Sequence, residues 1–121
     1  MIIRVILPWA KTSELSANSR LHWSRKAKLI AAQKAVARGL ALEAGWHKFR
    51  IPADGLIAVR LTFCPPSRGV VPDLDNALTA QKGALDALAA VLGVNDRRFK
   101  IRMEMGERSR DGGVIVVMEV I

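Results

Sequence analysis

Val71-Pro72-Asp73-Leu74-Asp75-Asn76 opens the segment on which the reading of this chain turns. Pro72 stops whatever precedes it, and Asp73 and Asp75 stand where a helix should begin. From Leu74 to Leu92 the residues repeat with helical spacing, and Gly93 closes the run. Leu78, Leu85, Leu88 and Leu92, with Ala77, Ala84 and Val91 beside them, predict one buried stripe. At about 100° per residue, Asp75, Thr79, Lys82 and Asp86 fall in a narrow arc on the opposite side. Asp96 follows in the next turn, ahead of a strand-like segment.

Ordinary helix chemistry accounts for part of this pattern. Asp at a helix start caps backbone N–H groups and suits the helix dipole, and Asn76 fits the first turn equally well. Lys82 and Asp86, four residues apart, suit a surface ion pair. Asp96 adds a third acid, which a turn at Gly93 can bring back toward the helix. Three converging carboxylates make an all-oxygen site of the kind hard divalent ions such as magnesium take. Phosphodiester hydrolysis is the chemistry such a site supports, with a nearby lysine offsetting charge on the phosphate.

Pro72-Asp73-Leu74-Asp75-Asn76, then Lys82, then Leu85-Asp86-Ala87-Leu88, then Asn95-Asp96, resembles the core of the RusA family of Holliday-junction resolvases. These are small homodimeric endonucleases, frequent in bacteriophages and prophages. The resemblance implies that Asp73, Asp75 and Asp96 are magnesium ligands, with Mn2+ as a substitute. It implies that Lys82 assists at the phosphate, with Asn76 and Asp86 in support. Two departures stand out. The family's Asp-Asp in the turn is Asn95-Asp96 here, and its helix lysine falls where this chain has Thr79. An insertion of about one helical turn explains the second and leaves Lys82 as the match.

The rest of the chain fits a nucleic-acid partner. Its 121 residues are enough for one domain with a sizeable core, and half of them are hydrophobic. Nineteen Lys and Arg against eleven Asp and Glu leave a net charge of +8, which calls for a polyanion. A membrane partner is not expected, for want of any apolar span or aromatic-anchored basic helix. One cysteine, Cys64, rules out an internal disulfide and fits a reducing cytoplasm. Met1–Leu7 reads as a strand, too short for a signal peptide. Trp9–Ser19 reads as a polar connection in which Asn18 suits a helix cap, and residues 20–44 as a long helix with the apolar stripe Leu29, Ala32, Val36 and Leu40.

The first half of that helix carries Arg20, Arg25, Lys26 and Lys28 with no balancing acid, which predicts contact with a DNA backbone. Trp23 is expected in the core and His22 to be incidental; His22 and His47 make no zinc pattern. Leu56–Phe63 is β-branched and apolar, with Cys64 a possible extension, and predicts a strand. Ser67-Arg68-Gly69 is expected to be a flexible stretch placing Arg68 against phosphate. Phe99–Met105 alternates as a half-exposed strand, Ser109–Gly113 reads as a hairpin turn, and the apolar run Val114–Ile121 as a central or partner-covered strand.

The predicted fold is therefore α/β (α+β), a small mixed β-sheet with two main helices in the order β-α-β-α-β-β. The expected function is a magnesium-dependent endonuclease on four-way DNA junctions, with a homodimer implied by the resemblance. A catalytically silent branched-DNA-binding protein, a metal-dependent ribonuclease and a small ribosome-associated protein are the alternatives the same residues leave open.

Overall fold

The computed structural model describes residues 1–120. Four strands, β1 (Ile2–Leu7), β2 (Ile57–Cys64), β3 (Phe99–Met105) and β4 (Gly113–Val120), form one mixed sheet in the order β1-β4-β2-β3. Helices α1 (Thr12–Leu15), α2 (Trp23–Glu43), α3 (Leu74–Ala80) and α4 (Lys82–Leu92) complete the α/β fold. Ile121, the last residue of the expected final strand, lies outside the described residues.

Alternation along the strands sends one set of side chains to the helices. Ile3, Val5 and Leu7 from β1, Ile57, Val59, Leu61 and Phe63 from β2, and Val114, Val116 and Met118 from β4 are all buried. The register aligns them in rows across the sheet: Ile3 with Met118, Val59 and Ile101; Val5 with Val116, Leu61 and Met103. The other face carries Arg4, Arg60, Lys100 and Arg102, with Ile2 and Ile6 exposed at one side.

β4 is paired on both sides, antiparallel to β1 and to β2, as its apolar composition predicts. The expected hairpin between β3 and β4 does not form. β3 instead lies parallel to β2 at the sheet edge, and β2 separates it from β4. The composition of the two strands explains this: β4 is apolar on both faces and suits the interior. β3 alternates with Lys100, Arg102 and Glu104, which suits an edge. The intervening chain passes the end of β2, where Gly106 N–H donates to the Phe63 carbonyl (2.8 Å) and Ser109 N–H to that of Pro65 (2.9 Å).

The single helix expected over residues 74–92 is broken at Gln81. There Gln81 N–H bonds back only three residues, to the Leu78 carbonyl (2.9 Å), and α4 starts afresh. The Ala80 carbonyl at the break accepts from Gln33 Nε2 of α2 (2.8 Å), while Gln81 Nε2 donates to the Pro8 carbonyl (3.2 Å). Gly93, at φ 70°, ends α4 in the left-handed conformation a side chain resists. Seven of the eleven residues of α4 are buried.

The polar connection after β1 contains α1, and residues 20–22 precede rather than begin α2. The buried face of α2 follows the expected stripe only in part. Leu40 packs against the core and Leu29 is half-buried, but Ala32 and Val36 are exposed, and the fully buried residues are Ala37 and Ala41. Against α4, a Cβ on Gly83 would sit 2.6 Å from Gln33 Oε1 and 3.2 Å from Ile30 Cγ2. The absence of a side chain at Gly83 thus lets the two helices approach closely. The segment after α2 holds the bulkiest core side chain, Trp46, in a 3-10 turn with its indole N–H on the Arg4 carbonyl (3.3 Å).

Ala37→Leu, which overfills this helix contact, is expected to cost about 1–3 kcal/mol in urea unfolding. Val36→Ala should change stability by no more than about 0.5 kcal/mol. The opposite ranking would mean that α2 packs through the face read from its sequence.

Candidate functional site

Asp73 is the N-cap of α3, its Oδ1 accepting the Asn76 N–H at 2.8 Å and its Oδ2 the Asn76 side-chain amide at 3.4 Å. Capping is thus one function that the acidic turn performs. Asp75 follows in the first turn, exposed, without a hydrogen bond or ion pair among the described residues. Asn76 reaches the other way, its Oδ1 accepting from Asn18 Nδ2 at 2.8 Å. Asn18 therefore does not cap the following helix; His22 does, its Nδ1 accepting from Ser24 N–H (3.2 Å). Ala17 N–H donates to Thr79 Oγ1 (3.0 Å), so two bonds stitch the chain after α1 onto α3.

Lys82 stands at the head of α4, just past the break. Its Nζ lies 3.4 Å from Asp86 Oδ1 and 3.8 Å from Asp96 Oδ2. The first contact is the expected pair across one helical turn. The second joins α4 to the chain that enters β3. Leu78, Thr79, Leu85, Phe99 and Ile101 complete a pocket of about 190 Å³ around these three charged groups. Asp96 begins a 3-10 turn capped by Asn95, whose Oδ1 accepts the Arg97 N–H at 2.9 Å. Arg98 anchors this turn on the carbonyls of Gly55 (2.8 Å) and Asp54 (3.1 Å).

Of the predicted site residues, Lys82, Asp86 and Asp96 are brought together. Asp75, expected on the same helix face, does not line their pocket, although Thr79 of the same arc does, across the break at Gln81. Asp73, Asp75 and Asp96 are hard oxygen donors of the type magnesium takes. As arranged, they do not form a ready cage: among the described residues, no group of three or more His, Cys, Asp or Glu is gathered to hold an ion. The positive charge beside Asp96 is the Lys82 ammonium.

The basic residues predicted to meet DNA fall in two regions. Arg20, Arg25 and Lys28 are exposed around the head of α2, while Lys26 is half-buried with its Nζ on the Ser16 carbonyl (2.9 Å). Arg68 lines a groove of about 520 Å³ with Trp9, Lys11, Pro72 and Arg110. Lys11 and Arg110 were not legible as members of this groove, since only the passage of the chain around the end of β2 brings them to Arg68. The Ser67–Gly69 stretch is tied down rather than loose. Arg108 donates to the Pro66 (3.1 Å) and Gly69 (2.9 Å) carbonyls, and Ser67 Oγ to that of Arg110 (3.4 Å). No helix among the described residues is long and apolar enough to cross a membrane.

In a double-mutant cycle with Asn18→Ala and Asn76→Ala, urea unfolding should reveal a coupling of about 0.5–1 kcal/mol, the worth of one part-exposed hydrogen bond. Strictly additive losses would remove Asn18 from the support of the acidic turn.

No family model matches the chain. It is similar to an uncharacterized protein of Xylella fastidiosa, 35% identical over 111 residues, which span 92% of this chain and 71% of that protein. At that identity and coverage the chain belongs to the same family as the Xylella fastidiosa protein.

Proposed function

We propose that this protein is a magnesium-dependent, structure-selective endodeoxyribonuclease of the RusA type, cutting four-way DNA junctions by paired symmetric nicks. The observation that carries the reading is the Lys82 ammonium between Asp86 and Asp96, three charged groups from two separate segments in one pocket of a strongly basic protein. A lysine so placed can meet a phosphate oxygen by exchanging its carboxylate partners for it. Asp73, Asp75 and Asp96 are the residues that would hold Mg2+, or Mn2+ in its place; their donor type supports the ion, and the gathering of all three remains for its binding to bring about. The exposed cations Arg20, Arg25, Lys28 and Arg68 supply phosphate contacts. Two identical sites for two symmetric cuts call for a homodimer. The setting is the bacterial cytoplasm, with a phage or prophage origin in keeping with the RusA-type pattern.

One observation favours a second reading, a branched-DNA-binding protein that does not cut. The ion pair to Lys82 occupies Asp96.

A synthetic four-way junction incubated with Mg2+ separates the two. Wild type should give paired nicks that chelator abolishes; Asp75→Asn should lower the rate by about 100-fold or more, and Lys82→Ala by at least about 10-fold. Tight binding without cutting, indifferent to magnesium, would establish the silent module instead. Sedimentation equilibrium should return the mass of two chains; a monomer that still cuts both strands would sink the symmetric-dimer part of the reading.

A further inference from the structure

Trp23 was expected in the core, yet 76% of its surface is open. The other two tryptophans behave differently: Trp46 is buried and Trp9 packs against the core. An indole left in water forgoes about 1.5–3 kcal/mol of burial, so its position is informative only if the backbone holds it there. The backbone does hold it. His22 caps the helix through Ser24, Leu21 N–H donates to Ser19 Oγ (3.2 Å), and Lys26 reaches the Ser16 carbonyl (2.9 Å). Trp23 is thus at a pinned helix start rather than a frayed one. The one ring beside it is His22, with centroids 5.6 Å apart and planes tilted by 33°.

The surroundings carry charge of one sign. Between Glu14 and Glu43 the chain has no acid, and it has Arg20, Arg25, Lys26, Lys28, Lys34 and Arg38. The first turn of α2 contains no acidic residue, although that is where acids are most favourable. An exposed aromatic among unpaired cations matches a nucleic-acid strand, whose bases stack and whose phosphates pair with cations. A second copy of this basic segment would instead bring like charges together. Ala17 and Asn18, on the same connection, are bonded to Thr79 and Asn76 of α3, so the segment is held in fixed relation to the acidic turn.

We propose that Trp23 is a stacking platform for an unpaired nucleobase, with the phosphates flanking that base taken by Arg20, Arg25 and Lys28. This rests on the nucleic-acid reading above and extends it: the protein engages a base outside a duplex as well as the sugar-phosphate backbone.

The test compares wild type, Trp23→Ala and Trp23→Phe for binding to a short oligothymidylate, the same strand with abasic sites, and a plain duplex. Trp23→Ala should bind the oligothymidylate roughly 5- to 100-fold more weakly, with Trp23→Phe close to wild type. Wild type should lose a similar factor on the abasic strand, whereas Trp23→Ala should scarcely distinguish the two strands. Duplex binding should be the same for all three proteins. Equal affinity of wild type and Trp23→Ala for the oligothymidylate would overturn the platform while leaving the endonuclease reading intact. Conversion of a dimer to a monomer by Trp23→Ala would assign Trp23 to a subunit contact and overturn it too. Failure of the wild type to bind any of the three would bring down the nucleic-acid reading itself.

Discussion

The break between α3 and α4 depends on a single amide. Where the helix stops at Ala80 its carbonyl loses its place in the ladder, and Gln33 of α2 supplies the missing donor at 2.8 Å. Leaving a part-buried carbonyl unpaired costs on the order of 1–3 kcal/mol, so Gln33 must face α4. Its facing α4 sets the rotation of α2, and Gly83 lets the two helices close over it. Thr79 before the break and Lys82 and Asp86 after it still line one pocket, where Lys82 meets Asp96. The contact between α2 and α4 thus rests on the polar groups that the break leaves to be satisfied.

The electrostatics separate acids from the basic bulk by position. With a net charge of +8, carboxylates stand in a positive field, and four of the eleven, Asp73, Asp75, Asp86 and Asp96, fall on α3, α4 and the turn before β3. Asp73 turns its carboxylate onto backbone and amide donors, and Asp86 and Asp96 share the Lys82 ammonium. Asp75 alone among these four has no partner among the described residues. The large cationic surplus lies elsewhere: on α2, around Arg68, and on the uncovered face of the sheet at Arg4, Arg60, Lys100 and Arg102. Cations are thus presented on several faces of the molecule.

Much of the architecture was legible because it rests on periodicity and local chemistry. β2 and β3 appear as strands where alternation or β-branching predicts them, the apolar run after Gly113 is indeed central, and Asp73 and Gly93 bound their helices as cap and stop. Asp75, Lys82 and Asp86 stood out by helical spacing, Asp73 at the helix start and Asp96 in the turn that follows, and Lys82, Asp86 and Asp96 do share a pocket. What misled was equally specific. Alanine is nearly silent about which side of a helix it occupies, so Leu29 and Leu40 marked part of the buried side of α2 while Ala37 and Ala41, its fully buried residues, were missed. Turn residues at Ser109–Gly113 mark a change of direction but not which strands lie on either side.

The sequence by itself determined the four strands, the main helical segments, the cap at Asp73, the stop at Gly93 and the excess of positive charge, because each of these follows from composition or from interactions within a few residues. Tertiary structure alone decided that β2 would lie between β3 and β4, that the long helix would break at Gln81, that Trp23 would stand in solvent while Trp46 took the core, and that Lys82 would meet Asp96. These outcomes turn on which surfaces can approach closely and which buried polar groups then need partners. Both are properties of segments tens of residues apart, and no local window of the chain contains them.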